Sequence, residues 1–311
     1  IVDIGCNQGV IALNLALHGF KVTGYEKQTR FLDYGKERAA HDKINNVIFT
    51  EQLVSFDNLS LLDDVDVNIL LSVHHQMVKH MGMEQGNRLL VEIFKQSKRQ
   101  FFFQPATIYE KYGCEMPFAE NDFWNGLPDM NSYGYSLAKK NLIIGGWAYR
   151  EQYNFNTTVL LPANIYGPYD NFHLENSHVI PALIRKFIAA KESNSPTVEV
   201  WGTGVATREF LYVGDTVKAI IDAMGCNETG PFNLGTGVET SIKELNETIA
   251  KLIGYEGEIV WDTTRPDGQP KRFYDMTKFK ETFGYVPNTT LEDGLKETID
   301  WYSNNKETAR L

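Results

Sequence analysis

Two groups of residues in this 311-residue chain have the types and spacing of site chemistry. Tyr135-Ser136-Leu137-Ala138-Lys139 sets a phenol and an ammonium four residues apart, and on a helix residues four apart share a face. The ammonium lowers the phenol's pKa from about 10, so the phenol exchanges a proton with a carbonyl while a nicotinamide exchanges hydride. At the other end, Val2-Asp3-Ile4-Gly5-Cys6-Asn7-Gln8-Gly9 reads as a strand entering a glycine turn and then a helix. Gly5 and Gly9 let the backbone turn tightly and approach a ligand, and Glu26 stands just past the second strand, where a carboxylate accepts from ribose hydroxyls. That arrangement suits an adenosine. The Gly-x-x-x-Gly spacing differs from the Gly-x-Gly-x-x-Gly dinucleotide loop and offers a pyrophosphate fewer open amides. The plain alternative is a turn and a surface carboxylate with no ligand.

These groups need a sheet to position them. Short apolar runs alternate with helical patterns, the mark of parallel strands joined by crossover helices. Strands are predicted over 1–4, 21–25, 46–50, 65–72 and 100–104, and helices over 9–17, 29–41 and 84–98, where apolar residues recur at three- and four-residue intervals. A helix follows from 135 to about 153, and 157–161 returns to the sheet. Beyond Pro162 the elements shorten, as at 198–201, 241–253 and 291–302, with Pro and Gly between them. The expected fold is α/β, a doubly wound parallel Rossmann-like sheet with a smaller α/β substrate-binding cap at the C-terminus.

Composition narrows the partners. Lys plus Arg number 30 against 40 Asp plus Glu, a formal charge of -10, which excludes a broad nucleic-acid footprint and leaves phosphate to be met locally. Cys6, Cys114 and Cys226 lie far apart, with neither metal-ligand spacing nor a disulfide framework, so no metal is expected and the cytoplasm is the expected compartment. No apolar run approaches the roughly 20 residues of a membrane span, so no membrane partner is expected. The chain opens inside a strand at Ile1, which implies sequence upstream.

Through Asp3 to Gly9, Glu26 and the segment Asn68-Ile69-Leu70-Leu71-Ser72-Val73-His74-His75, residues 1–113 resemble class I S-adenosylmethionine-dependent methyltransferases. The resemblance implies that Asp3, Gly5 and Gly9 line the methionine and ribose of the donor, that Glu26 holds the ribose, and that Ser72 to His74 border the acceptor. His74 and His75 equally read as a pair bonding loop carbonyls.

A different likeness covers residues 115 to 305. After the Tyr135/Lys139 pair come Pro162-Ala163-Asn164-Ile165-Tyr166-Gly167-Pro168, then Asn176-Ser177-His178-Val179-Ile180-Pro181, then Trp201-Gly202-Thr203-Gly204 and Arg208-Glu209-Phe210-Leu211-Tyr212-Val213. Together these segments resemble the extended short-chain dehydrogenase/reductases, the NAD-dependent epimerase/dehydratase family of nucleotide-sugar enzymes, and within it the GDP-L-fucose synthase branch. The resemblance implies NADP(H) or NAD(H) as cofactor, a GDP-4-keto-6-deoxy-mannose class substrate and a homodimer. It makes Tyr135 the proton donor to the C4 carbonyl and Lys139 the residue that binds the nicotinamide ribose, with Pro162 also at the cofactor. His178 becomes an epimerisation acid, a role open to an imidazole, and Thr107 supplies the hydroxyl at the end of the fifth strand. Asn164, Lys186, Trp201 and Arg208 engage the sugar nucleotide, Arg208 by its fork, and Lys271 or Arg272 reaches the diphosphate. Three plain alternatives stand beside these roles: His178 as a cap of the helix starting near Val179, Trp201 as core, and Arg208–Glu209 as a solvated pair.

The family's Ser-Ser-Cys run is replaced by Pro105-Ala106-Thr107-Ile108-Tyr109, with Cys114 out of register. The expected organisation is therefore a methyltransferase-like Rossmann half over 1–113 joined to a dehydrogenase-like catalytic helix, edge strand and cap over 114–311. Both families order their first five strands 3-2-1-4-5 with the ligand above the carboxyl ends. Three functions remain open: a nucleotide-sugar oxidoreductase or epimerase, a methyltransferase using S-adenosylmethionine, and an inactive hybrid that binds a nucleotide sugar.

Overall fold

Runs of two to seven residues, too short for helices and bounded by turn residues, become strands: β1 Val2–Ile4, β2 Val22–Glu26, β3 Val47–Glu51, β4 Val65–Leu71, β5 Ser97–Phe103, β6 Asn156–Pro162, β7 Asn164–Tyr166, β8 Thr197–Trp201, β9 Thr207–Arg208, β10 Phe210–Tyr212, β11 Phe232–Leu234, β12 Thr240–Ser241 and β13 Glu258–Asp262. The α-helices are α1 Val10–Leu17, α2 Thr29–His41, α3 Tyr133–Tyr153, α4 Val179–Glu192, α5 Val213–Met224, α6 Ile242–Ile253, α7 Thr277–Phe283 and α8 Leu291–Asn304. The computed structural model describes residues 1–4, 6, 9–62, 65–71, 85, 88–89, 92–93, 97–103, 116–125, 133–174, 177–265, 267 and 270–309.

Seven strands form one parallel sheet in the order β11-β6-β5-β4-β1-β2-β3. Its first five strands follow the expected 3-2-1-4-5 order, and the direction of winding reverses between β1 and β4, where α/β folds hold ligands. β11 lies outside β6 and takes the edge. Its three residues, directly after Gly230-Pro231, are too few to show a period, so the sequence reading leaves it out.

The strands that the sequence reading names begin within about two residues of expectation, except β5. Ser97 and Lys98, predicted as the end of a helix over 84–98, belong to this strand, where Ser97 opposes Val65. Arg99 and Gln100 extend the polar start, which has no strand-like alternation; pairing to β4 and β6 decides its state. Gln85, Arg88, Leu89, Glu92 and Ile93 are helical, and Leu89 and Ile93, four apart, are fully buried.

The main core fills both faces of this sheet. It joins Val2, Ile4 and Ile69 to Val159, Leu160, Leu161 and Phe232, and α1, apolar nearly all round, is buried against it. A second cluster holds the cap, with Leu183, Ile184 and Phe187 of α4 packed on Leu245 and Ile249 of α6 and Leu295 and Ile299 of α8. Ser241 caps α6 by accepting from the Glu244 N–H at 3.0 Å, and Gly254 closes it in the left-handed conformation at φ 71°.

One buried charge ties α2 to the C-terminal helix. The Arg38 guanidinium, 4% exposed, donates to both Asp42 oxygens and, at 2.7 Å, to Asn305 Oδ1, and lies over the rings of Tyr169 and Trp301 at 5.0 and 4.8 Å. Removing one member of such a buried pair leaves the other charge uncompensated. Arg38→Ala is expected to lower the unfolding free energy by about 3 kcal/mol in urea denaturation; a loss below about 1 kcal/mol contradicts a buried, fully used guanidinium.

Candidate active site

Helix α3 lays its buried face, including Ser136, Lys139, Leu142 and Ile143, on the structure beneath it, and this carries Tyr135 and Lys139 inward together. The two side chains share a face as their spacing predicts: Lys139 Nζ is 5.4 Å from the centroid of the Tyr135 ring. Lys139 is 1% exposed, and its ammonium has no hydrogen-bond partner among the described residues. Burial in these surroundings disfavours its charge and brings its pKa down to about 7. A donor that could serve three acceptors is thus held ready for polar groups from outside the chain.

A cavity of about 290 Å³ opens in the cap portion and brings together four of the expected residues, Asn164, His178, Trp201 and Arg208, with Asp267 as a fifth polar wall. His178 does stand at the N-cap of α4, but its side chain makes no capping bond and lines the cavity. Trp201 is 61% exposed, so it is not core; the Lys186 ammonium and the Arg265 guanidinium flank its ring at 5.9 and 5.0 Å. Lys186 also donates to the Glu199 carbonyl at 3.2 Å. Asp267 accepts from the Thr203 N–H and hydroxyl at 2.6 and 2.7 Å, which fixes the turn after Trp201.

Arg208 and Glu209 are not a solvated pair. Glu209 is 1% exposed and accepts from the N–H groups of Thr236, Gly237 and Tyr274, at 2.5, 2.6 and 2.9 Å. Burial raises its pKa while these amides oppose the rise. Its own carbonyl accepts from the Asn164 side chain at 2.9 Å, and Asn164 Oδ1 accepts from Arg272 at 3.3 Å. Glu209 thereby holds the 236–237 and 274 backbone through its carboxylate and Asn164 through its carbonyl. Burial, and then the neighbouring Arg272, bring the Arg208 guanidinium down to about 10, so it remains charged at neutral pH.

Of the two residues expected at the diphosphate, Lys271 is paired with Glu239 at 2.7 Å, whereas Arg272 sits against Asn164 and acts electrostatically on Arg208. Tyr274, fully buried, links the two halves of the site: its electrostatic neighbours are Arg272, Glu209 and Tyr135. The sequence reading missed Tyr274 and Asp267 because they stand in no motif and lie far along the chain from their partners. For Glu209 a signal was present, a carboxylate between the strand residues Arg208 and Phe210.

At the N-terminal turn, Asp3 in the middle of β1 is fully buried, with neither oxygen hydrogen-bonded among the described residues. Burial, and secondly Glu26, push its carboxyl up to about 7. Gly9 has φ 78°, and a Cβ there would lie 2.3 Å from the Phe49 ring, so its close approach is to that ring. Glu26 ends β2 and accepts from the Gln28 N–H at 3.0 Å. Pro162 ends β6 opposite Leu234. Gly5, Ser72, His74, His75, Thr107 and Cys114 lie outside the described residues. Among the described residues no group of three or more His, Cys, Asp or Glu is arranged to hold a metal ion, and no helix is long and apolar enough to cross a membrane.

A parallel doubly wound sheet carrying a Tyr-x-x-x-Lys helix and a polar cap cavity defines the class, and the family model agrees. Residues 52–235 match the NAD dependent epimerase/dehydratase family, and the chain belongs to it. It is 39% identical over 219 residues to the GDP-L-fucose synthase of Escherichia coli (strain K12), covering 67% of this chain and 68% of that one. It is also 41% identical to a probable GDP-L-fucose synthase 1 of Oryza sativa subsp. japonica, over 68% of this chain and 65% of the relative. The chain thus spans about two thirds of the length of the curated relatives it matches. A GDP-L-fucose synthetase of Naegleria fowleri, solved with NADP, shares the fold at a TM-score of 0.76 and 22% identity, over 100% of this chain and 95% of that one.

The depressed pKa of Lys139 fixes a sign for the pH dependence of stability. Between the folded value of about 7 and the ordinary 10.5, the unfolded chain holds a proton that the native chain lacks, so this group's contribution makes the fold more stable as pH rises through that window. Lys139→Met removes the penalty. In thermal denaturation the variant is expected to unfold at a higher temperature than the parent at and below pH 7, with the gap closing toward pH 10.5; a gap of constant size across this range refutes the assignment.

Proposed function

We propose that the chain is a nicotinamide-dependent reductase of a nucleotide-linked keto sugar, of the GDP-L-fucose synthase type. The observation that carries this reading is the buried Lys139 ammonium, without a hydrogen-bond partner among the described residues, beside Tyr135; a cavity lined by Arg208, His178 and Trp201 supports its substrate side. A nicotinamide ribose fits the Lys139 end, because its hydroxyls give the buried ammonium acceptors. When bound, NADP(H) or NAD(H) supplies the hydride to C4 of the sugar. Tyr135 gives the proton to the C4 oxygen, so the ketone becomes a hydroxyl, and Lys139 holds the ribose and keeps the phenol acidic. Pro162, at the carboxyl end of β6, borders the same cofactor end.

On the substrate side, Trp201 offers its exposed face to the base, with Lys186 beside it. Arg208 forks onto the diphosphate with Arg272 as its neighbour, while Lys271 reaches it only by leaving Glu239. Asn164 fixes the sugar. His178 is the acid of an epimerisation step, and Thr107 supplies the hydroxyl beside the carbonyl. Leu137 and Ile144, exposed and seven apart on one stripe of α3, support a homodimer through this helix. Two cysteines without disulfides, Cys6 and Cys226, support the cytoplasm as the compartment.

A second reading concerns residues 1–113 as a methyltransferase-like half joined to residues 114–311. The place of Glu26 at the end of β2 favours it, since a ribose carboxylate at that point serves S-adenosylmethionine too. Calorimetry with S-adenosylmethionine tests it.

The reductase reading is tested by dinucleotide oxidation with a GDP-4-keto-6-deoxy sugar. Tyr135→Phe is expected to lower kcat by about 10²- to 10⁴-fold, the worth of a positioned proton donor, with GDP affinity unchanged. A variant as active as the parent removes Tyr135 as the proton donor, and a parent that binds the sugar nucleotide without turnover removes the reading and leaves the inactive hybrid.

A further inference from the structure

Arg208 and Phe210 both line the cap cavity, and the buried Glu209 between them points the other way, as alternate side chains of an extended chain do. We propose that Glu209 is a positioning residue of the substrate site: without touching substrate, its carboxylate sets Asn164 and Arg272 where they meet the diphosphate-linked sugar beside Arg208. The inference rests on the reductase reading above for what fills the cavity, and adds how the polar wall of that cavity is held.

The hydrogen bonds form a closed ring. The Glu209 carbonyl accepts from the Asn164 side chain at 2.9 Å and from its N–H at 3.3 Å, and Asn164 Oδ1 accepts from the Arg272 guanidinium at 3.3 Å. Two residues beyond Arg272, the Tyr274 N–H donates to Glu209 Oε2 at 2.9 Å, which returns the ring to its start. The other oxygen, Oε1, accepts from the N–H groups of Thr236 and Gly237 at 2.5 and 2.6 Å. The turn closes round it so tightly that a Cβ at Gly235 would lie 2.1 Å from Oε1. Both oxygens face donors, and of Glu and Gln only the carboxylate has lone pairs at both positions. A carboxamide would turn its NH2 toward one set of amides and leave a buried N–H without an acceptor. Burial, then Arg272 and Asp267, act on the Arg208 guanidinium, so the carboxylate next to it in sequence holds the site without neutralising its charge.

Calorimetric titration of the full chain with GDP, beside fluorescence titration with NADPH, tests this without turnover. Glu209→Gln is expected to weaken GDP binding about tenfold or more, the order of one buried hydrogen bond to a charged group, with NADPH affinity unchanged. Gly235→Ala, whose methyl group presses on Oε1 from the turn, is expected to show the same pattern and carries the test where the first variant does not fold. GDP bound as tightly by folded Glu209→Gln as by the parent overturns the inference, and so does an equal loss of GDP and NADPH, the mark of a general loosening. Failure of both variants to fold overturns it too, since Glu209 then supports the fold alone. A parent that binds GDP but does not turn over the keto sugar removes the reductase reading and leaves the inference standing; a parent that binds no GDP removes both.

Discussion

The two hydrogen-bond ladders of β5 are the constraint on which the rest depends. This strand pairs with β4 along one edge and with β6 along the other, so a polar-headed segment becomes the middle of a seven-stranded sheet. Buried backbone groups must be paired, and a central strand has no edge on which to leave them open. The β5–β6 ladder puts residues 97–103 and 156–162 in one sheet, and with them β1, β2 and the segment that leads from α3. Asp3 and Glu26 stand on one side of that ladder, Tyr135 and Lys139 on the helix before β6, and Asn164 on the strand after it. Arg38 reinforces the same union at the periphery, since its partners Asn305, Thr308, Tyr169 and Trp301 all come from the far end of the chain.

Within this frame the charged groups divide by how their desolvation is compensated. Glu209 is buried and fully used, its carboxylate accepting from three backbone amides, and it acts as a brace for the cap loops. Lys139 and Asp3 are buried without hydrogen bonds among the described residues, and burial moves both toward neutrality, one down and the other up to about 7. Charges that cost stability in this way persist where a ligand completes them. Arg208 is intermediate, half-buried yet charged.

The motif at residues 135–139 was legible because helix geometry is local: four residues bring two side chains onto one face whatever surrounds them. Most strands and helices were legible for the same reason, α2 over Thr29–His41 among them. His178, Trp201 and Arg208 could be named from short segments, yet whether they met in one cavity could not, since that depends on β8, α4 and β9 converging from separate stretches. Asp267 and Tyr274 carried no local signal at all.

By itself the sequence determined the period of each element, the charge balance, and which residue types stood four apart on α3. Tertiary structure alone decided that Ser97 and Lys98 are strand rather than helix, that β11 covers the edge, that Glu209 is a buried brace instead of a solvated partner of Arg208, and that Lys271 is occupied by Glu239 while Arg272 donates to Asn164. The physical reason is common to all of these. Backbone dihedral preferences and side-chain periodicity act over a few residues, whereas strand pairing, desolvation and ion pairing are fixed by groups that approach only when distant segments pack.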